Sequence, residues 1–322
     1  MSGRGEFDFI RTRLVPLTRQ HAGARGLADD AAVLGCPPDQ ELVLACDTLV
    51  EQVHFLTDDT PQTVAARALG SNLSDLAAMG AEPVGYLMAL SWPERCTPAW
   101  QDAFTAALGD EQSRHGLVLL GGDTTRTPGP LTISMTLIGC VPRGQALSRS
   151  GAQPGEDVWV SGTIGDAGLG LAWEQGDASV PAACAARYTR PEARLGLGQG
   201  LRGLATALLD VSDGLVADAG HVAQASGVGL ELDLAALPLS PAVETWLGGE
   251  DERALTRLAT SGDDYELLFT APPGISDRIL ALSNVCGVRL TRIGRVVDGQ
   301  GVICRDGDGQ VLSVGTAGFT HF

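Results

Sequence analysis

Short apolar runs alternate with longer helical patterns along the first half of the chain. Residues 42–46 predict a buried strand that opens into a loop at Asp47. Thr60 and Pro61 are typical of a helix start, and apolar residues then recur at helical spacing as far as Met79. Strands are predicted at 84–91, 117–120 and 131–141, and a second helix is predicted to begin at Thr97. In the strand at 131–141, polar and apolar residues alternate, which predicts a sheet with two unlike faces.

The second half of the chain repeats this alternation after a segment rich in Pro, Gly, Arg and Ser, residues 142–155, which predicts a linker. The pattern then predicts helices at 166–174, 191–204 and 213–225, and strands at 157–161, 207–211, 228–233, 265–270 and 288–297. This order predicts two mixed α/β domains, residues 1–145 and 146–322. Gly198, Gly200 and Gly203 match G-x-G-x-x-G, but they precede a strand, so we do not interpret them as a dinucleotide site.

Aspartates fall beside the predicted strands. Asp47 and Asp123 follow strands, Asp210 and Asp213 flank the end of another, and Asp30 precedes an apolar run. Acids at strand ends share one rim of a sheet, where ligands bind in open α/β folds. Carboxylates gathered there repel one another unless cations neutralise them, and Mg²⁺ prefers oxygen ligands. The alternative is that each is a turn or N-cap residue.

Asp75 differs because it lies inside a predicted helix, three residues after Asn72 and on the same face. Aspartate is a poor residue for a helix interior, and no turn is needed there. That face adjoins the apolar stripe, so the carboxylate is partly shielded and requires a partner, either an arginine or a metal ion.

Composition removes several classes of function. The chain of 322 residues has 22 basic and 39 acidic residues, and its net charge of −17 disfavours binding to nucleic acids or anionic membranes. Every basic residue is arginine, which excludes the lysine of a phosphate-binding loop, the strand lysine of protein kinases and a Schiff-base cofactor. The seven cysteines form no C-x-x-C pair, and the histidines have no zinc spacing. With no signal peptide and no long apolar span, we expect a cytoplasmic protein.

Six motifs occur in order along nearly the whole chain, at residues 29–33, 47–55, 72–80, 121–126, 209–214 and 264–267. Together they resemble the thiamine-monophosphate kinases, which convert thiamine monophosphate and ATP to thiamine diphosphate and ADP. The resemblance implies a two-domain α+β fold shared with aminoimidazole ribonucleotide synthetase, with an N-terminal sheet that pairs across a homodimer and a C-terminal α+β domain.

The resemblance also implies roles for individual residues. It implies ATP as co-substrate. It also implies several Mg²⁺ ions, whose ligands are Asp30, Asp47, Asp75, Asp123, Asp210 and Asp213. ATP contacts are implied for Gly122, Asp123, Arg149 and Ser212. Catalytic roles are implied for Asp123, Asp210 and Arg149. Thiamine-phosphate contacts are implied for His54, Asp263 and Phe319. The alternatives are a solvated linker arginine at Arg149, a turn histidine at His54 and a buried anchor at Phe319.

Two other functions stay open from the sequence. The first is another ATP-dependent enzyme of the same superfamily, of which an aminoimidazole ribonucleotide synthetase is the hardest to exclude. Selenophosphate synthesis would need a cysteine near the start, and hydrogenase maturation would need one at the end. The second is a non-catalytic sensor that binds Mg²⁺ and a nucleotide.

Overall fold

The computed structural model describes residues 6–249, 252–314 and 318–319. The chain forms two compact units, Met1–Leu76 with Glu82–Gly144, and Ala77–Ala81 with Gln145–Phe322. Each unit combines helices with a sheet, which confirms the predicted α+β class. The expected boundary between residues 145 and 146 stays a prediction, and the last residues of the expected second domain, 320–322, lie outside the described part. None of the described helices has both the length and the apolar character needed to cross a membrane.

The first unit is built on a four-stranded sheet in the order β1-β4-β2-β3. Strands β2 and β3 are parallel and the other neighbours are antiparallel. The strands are β1 (Gln40–Val50), β2 (Glu82–Trp92), β3 (Leu119–Arg126) and β4 (Thr132–Pro142), and the α-helices are α1 (Glu6–Phe9), α2 (Pro61–Ala78) and α3 (Pro98–His115). Thr97 caps α3 by accepting the N–H of Trp100, as the sequence predicted.

One face of this sheet is buried and the other is only partly covered within the chain. In β4 the apolar positions Ile133, Met135 and Leu137 are buried, and the polar residues between them are half-buried, which confirms the predicted alternation. The strand register places Leu44 and Leu87 on the less buried face, where they are 64% and 37% exposed. This face therefore presents apolar side chains to its surroundings.

The second unit is built on a seven-stranded sheet in the order β11-β10-β7-β9-β5-β8-β6. Its neighbours are antiparallel except for β7 and β10. Its strands are β5 (Asp157–Ser161), β6 (Ala207–Val211), β7 (Gly229–Asp233), β8 (Glu266–Ala271), β9 (Leu290–Val297), β10 (Gly301–Arg305) and β11 (Val311–Leu312). Its helices are α4 (Asp166–Glu174), α5 (Ala185–Thr189), α6 (Leu195–Gly200), α7 (Leu215–Ser226), α8 (Pro241–Leu247), α9 (Glu252–Thr260) and α10 (Ser276–Cys286).

Three details of the predicted pattern are wrong. Asp47 and Asp123 lie inside β1 and β3 and do not follow those strands, because both strands continue past their apolar runs through paired polar residues. The helix predicted at 191–204 is shorter than expected, because α6 begins at Leu195 and ends at Gly200.

Gly198, which belongs to the G-x-G-x-x-G match, has a structural reason. A Cβ at this position would lie 2.0 Å from the carbonyl oxygen of Ala77, so close backbone approach explains this glycine.

Candidate functional site

The first unit contains a cavity of about 620 Å³ beside β3. Asp30 and Asp123 both line it, so the structure brings these two predicted metal ligands to one cavity. Both residues are exposed. At its rim the indole Nε1 of Trp92 donates to Thr124 Oγ1 at 2.9 Å, which fixes the strand immediately after Asp123.

The titratable side chains that line this cavity are all acidic: Glu6, Asp29, Asp30 and Asp123. Asp29 pairs with Arg25, whose Nε lies 2.8 Å from Oδ2. These four carboxylate groups, with no basic residue among the lining side chains, fit a hard divalent cation such as Mg²⁺. The residues present therefore suit the metal that the sequence predicted.

Gly122 allows β3 to lie against β2 at this cavity. Its φ of +147° is rare for residues with a side chain, and a Cβ there would lie 1.9 Å from the carbonyl oxygen of Met88. Only glycine fits this position. The backbone beside Asp123 is therefore set by contact with β2.

Asp47 and Asp75 lie on neighbouring elements of the same unit. The backbone N–H of Asp47 donates to Asn72 Oδ1 at 3.2 Å, and the fully buried Asn72 donates from Nδ2 to the carbonyl oxygen of Ala68. Asp75 follows Asn72 by one turn of α2 and is half-buried. Asn72 thus ties the strand of Asp47 to the helix of Asp75.

His54 closes a turn after β1. Its Nδ1 accepts the N–H of Val50 at 3.0 Å, and its carbonyl oxygen accepts two hydrogen bonds from Arg67. The next residue, Phe55, is buried. These contacts match the turn-histidine alternative, and they leave the predicted substrate contact of His54 as a prediction.

In the second unit, four predicted residues meet at one loop, residues 212–214, between β6 and α7. The N–H of Asp263 donates to the carbonyl oxygen of Ser212 at 2.8 Å, and the N–H of Phe319 donates to that of Asp213 at 3.0 Å. Phe319 is half exposed. The structure therefore joins residues predicted to contact ATP and metal with residues predicted to contact the substrate.

Arg149 lies beside the strand that leads into this loop. The carbonyl oxygen of Ser148 accepts the N–H of Leu208 in β6 at 2.8 Å, two residues before Asp210. Arg149 itself is exposed. The backbone of its neighbour Ser148 is therefore held against β6, and the predicted ATP contact of Arg149 stays a prediction.

Sequence reasoning missed Asp218, a buried acid at the start of α7. Its Oδ2 accepts the N–H groups of Ser212, Asp213 and Gly214 at 3.0–3.1 Å. Burial, together with the carboxylates of Asp210 and Asp213, raises the pKa of Asp218 to about 8. The only sequence signal is an acid four residues into a helix that follows an Asp-rich loop.

His221 adds a further donor near this loop. Ligand atoms of Asp213, Asp218 and His221 lie within 4.8 Å of one another. His221 lies three residues after Asp218, so both project from one face of α7.

The segment that carries Asp263 has an unusual backbone. Asp263 and Tyr265 have φ values of +71° and +51°, in the left-handed region. The Tyr265 hydroxyl donates to Asp263 Oδ1 at 3.0 Å, which fixes the carboxylate. Between them, the carboxylate of Asp264 is buried and accepts the N–H groups of Gly165 and Ala167, and burial raises its pKa well above the ordinary value.

A buried ionic cluster supports this segment from behind. The carboxylate of Glu266, with no exposed surface, accepts hydrogen bonds from Arg187 at 2.7 Å, from Arg194 at 2.7 and 2.5 Å, and from the Ser161 hydroxyl at 2.6 Å. Arg187 also donates to the carbonyl oxygen of Asp264 at 2.9 Å. The cluster therefore holds the strained segment to the sheet.

The chain is similar to known proteins over most of its length. The AIR synthase related protein family matches residues 28–141 with its N-terminal domain and residues 153–307 with its C-terminal domain. A thiamine-monophosphate kinase from Caulobacter vibrioides is 43% identical over 300 residues, covering 92% of this chain and 85% of that protein.

Solved structures are also similar to this chain over most of its length. The crystal structure of a thiamine-monophosphate kinase from Stenotrophomonas maltophilia K279a has a TM-score of 0.80 at 42% identity, covering 88% of this chain and 90% of that one. A structure described as AaThiL complexed with AMPPCP and TMP has a TM-score of 0.77 at 32% identity, covering 99% and 97%.

Proposed function

This chain belongs to the thiamine-monophosphate kinase family of the AIR synthase related proteins, and on that basis we propose that it transfers a phosphoryl group from ATP to thiamine monophosphate. The products are thiamine diphosphate and ADP. A relative of the same family, AaThiL, is described as complexed with AMPPCP and TMP, which supports a nucleotide and a thiamine phosphate as the two ligands.

The observation that carries this proposal in the structure is the 212–214 loop. Its carbonyl groups bind the backbone of Asp263 and of Phe319, while Ser212 and Asp213 are the residues proposed to contact ATP and metal. A loop shared in this way keeps the donor and acceptor sides of a transfer reaction in one rigid frame. Phe319 is half exposed, and its ring can stack on an aromatic ring of thiamine.

The proposed Mg²⁺ ligands are Asp30, Asp47, Asp75 and Asp123 in the first unit and Asp210 and Asp213 in the second. Asp30 and Asp123 both line the first unit's cavity, whose titratable lining side chains are all acidic, and this supports the assignment. When bound, Mg²⁺ cancels charge on the phosphates of both substrates and stabilises in-line transfer. The protein carries a net charge of −17, so its carboxylates require such cations before two anionic substrates can be accepted.

The remaining chemistry needs little from the side chains. The acceptor is a phosphate oxygen whose second pKa is about 6, so it is already largely ionised at neutral pH and needs no general base. Arg149 is proposed to grip a phosphate of ATP through its guanidinium.

We place the enzyme in the cytoplasm, without nucleic-acid partners, as a homodimer formed through the first unit's sheet. The exposed leucines Leu42, Leu44 and Leu87, which share one face of that sheet, support the dimer. Light scattering on a sizing column is expected to give twice the chain mass for the native protein and one chain mass for Leu44→Glu. A native protein that elutes as a monomer would contradict this assembly.

The test of the reaction is turnover with defined substrates. ADP and thiamine diphosphate are expected to form in equal amounts from ATP, Mg²⁺ and thiamine monophosphate, and no ADP is expected with the aminoimidazole precursor in its place. ADP formation only with that precursor would favour the aminoimidazole ribonucleotide synthetase alternative. Binding of Mg·ATP with no product from either substrate would favour a sensor.

A further inference from the structure

Every backbone polar group on the inner side of the 212–214 loop is already committed within the protein. Its three N–H groups donate to Asp218 Oδ2, at 3.0 Å from Ser212 and 3.1 Å from Asp213 and Gly214. The carbonyl oxygen of Gly214 accepts the N–H of Asp218 in return. As described above, the other two carbonyl oxygens bind the substrate-side segments.

Consecutive N–H groups of this kind ordinarily form a concavity that binds an external anion. Here the protein's own carboxylate, that of Asp218, occupies the concavity. Asp218 is buried, with only 3% of its surface exposed. The loop can therefore offer a ligand only its side chains, those of Ser212 and Asp213. Their directions depend on the backbone angles that the three hydrogen bonds to Asp218 hold.

The start of α7 shows the same dependence. Its N-cap residue, Gly214, has no side chain to accept the first N–H groups of the helix, and its φ of +120° is accessible mainly to glycine. Asp218 takes the place of the missing cap from inside the first turn. Without it, the loop would have three unsatisfied donors and a flexible glycine at its end.

We propose that Asp218 is a positioning residue for phosphoryl transfer, which fixes the 212–214 loop so that Ser212 and Asp213 meet Mg·ATP in a single geometry. This inference rests on the proposed function, in which those two residues contact ATP and Mg²⁺. Asp218 does not itself touch the reacting groups in this role; it acts through the backbone of its neighbours.

The first test is the affinity of the full-length protein for Mg²⁺ with a non-hydrolysable ATP analogue, measured by calorimetry. Asp218→Ala removes the acceptor of all three N–H groups and is expected to raise Kd about tenfold or more. The matched control is Asp306→Ala. Asp306 Oδ1 also accepts two backbone N–H groups, from Asp308 and Gln310, but in the hairpin between β10 and β11, at the other edge of the sheet from β6. Its Kd is expected to stay within twofold of the native value.

Melting temperatures separate positioning from simple support of the fold. A supporting role would lower the melting temperature of Asp218→Ala and leave the Kd of the folded protein unchanged, which would overturn the proposal. A native protein that fails to bind the Mg²⁺–analogue mixture would contradict the proposed function itself. Native binding with unchanged affinity in Asp218→Ala would contradict only the positioning role.

A second measurement needs no variant. Hydrogen exchange of the native protein without nucleotide is expected to show protected amides at Ser212, Asp213 and Gly214, because each is bonded to Asp218. Rapid exchange at these three amides would overturn the proposal even if Asp218→Ala did not fold.

Discussion

Replacing Glu266 with glutamine tests the buried ionic cluster of the second unit. The carboxylate accepts four hydrogen bonds, two at each oxygen, from Arg187, Arg194 and Ser161. In Glu266→Gln, one of the two oxygens becomes an NH₂ group that faces two donors, so two of the four bonds are lost. The two guanidinium groups also lose a fully buried countercharge.

The cost follows from these losses. Removing one partner of a buried ion pair costs about 3–5 kcal/mol, and two hydrogen bonds to charged groups at about 1.5–3 kcal/mol each give a similar figure. A loss of 1 kcal/mol lowers the melting temperature of a unit of this size class by about 2–4 °C, so we expect a fall of about 6–20 °C.

The assay is calorimetric melting of Glu266→Gln and of a matched control variant, Glu231→Gln. Glu231 also accepts hydrogen bonds from two arginines, Arg295 and Arg305, but the side chain of Arg295 is 68% exposed. Surface pairs of this kind contribute about 0–1 kcal/mol. If Glu266→Gln melts no lower than Glu231→Gln, burial does not strengthen this cluster and the reasoning is wrong.

Three further predictions concern the cavity and the surface. Asp123→Asn is expected to lower kcat at least about 100-fold in steady-state assays, because a proposed metal ligand loses its charge, while the melting temperature is retained. Gly122→Ala is expected to destabilise the first unit by about 3 kcal/mol or more in urea unfolding, because its Cβ would overlap the carbonyl oxygen of Met88. The hydrogen bonds from the two arginines lower the pKa of Glu231, so its contribution is present above the unfolded pKa of about 4.3 and is lost as the pH falls through the folded pKa. The difference in melting temperature between the native protein and Glu231→Gln is therefore expected to close below pH 4.

Each of these predictions has a control or a contradicting result. Asp110→Asn removes an exposed acid of α3 in the same unit and is expected to leave kcat unchanged; equal losses in the two variants would remove Asp123 from the metal site. Gly121→Ala places its Cβ 3.3 Å from the end of the Leu87 side chain, which can move, so it is expected to be far milder than Gly122→Ala. A difference for Glu231→Gln that stays constant between pH 7 and pH 3 would show that its charge is not involved.

Local patterns predicted the elements well where one physical signal dominates. The Thr97 cap and the alternation in β4 are both present, because side-chain capping and one buried sheet face act over a few residues. Periodicity failed where strands continue through polar residues, as at Asp47 and Asp123, since pairing with a neighbouring strand holds those residues and leaves no trace in hydropathy.

For the candidate site, the sequence suggested a set of residues, whose roles stay predictions, but not their arrangement. The family resemblance pointed to Asp213, Asp263 and Phe319, whereas the backbone hydrogen bonds of the 212–214 loop with Asp263 and Phe319 cross up to nearly a third of the chain. Asp218 was missed because its hydrogen bonds come from backbone N–H groups, which every residue type except proline has, so they leave no pattern in the sequence. Such roles depend on loop conformation, which single-sequence patterns do not encode.

The Glu266 cluster also constrains the order in which the chain can acquire structure. Ser161, Arg187 and Arg194 leave the ribosome 72–105 residues ahead of Glu266. Until that glutamate emerges, the two guanidinium groups lack the buried carboxylate that they contact in the folded unit, and the acid already present beside them is the exposed Glu192, so this part of the nascent chain stays hydrated. The first unit, whose sequence ends at Gly144, is under no such delay.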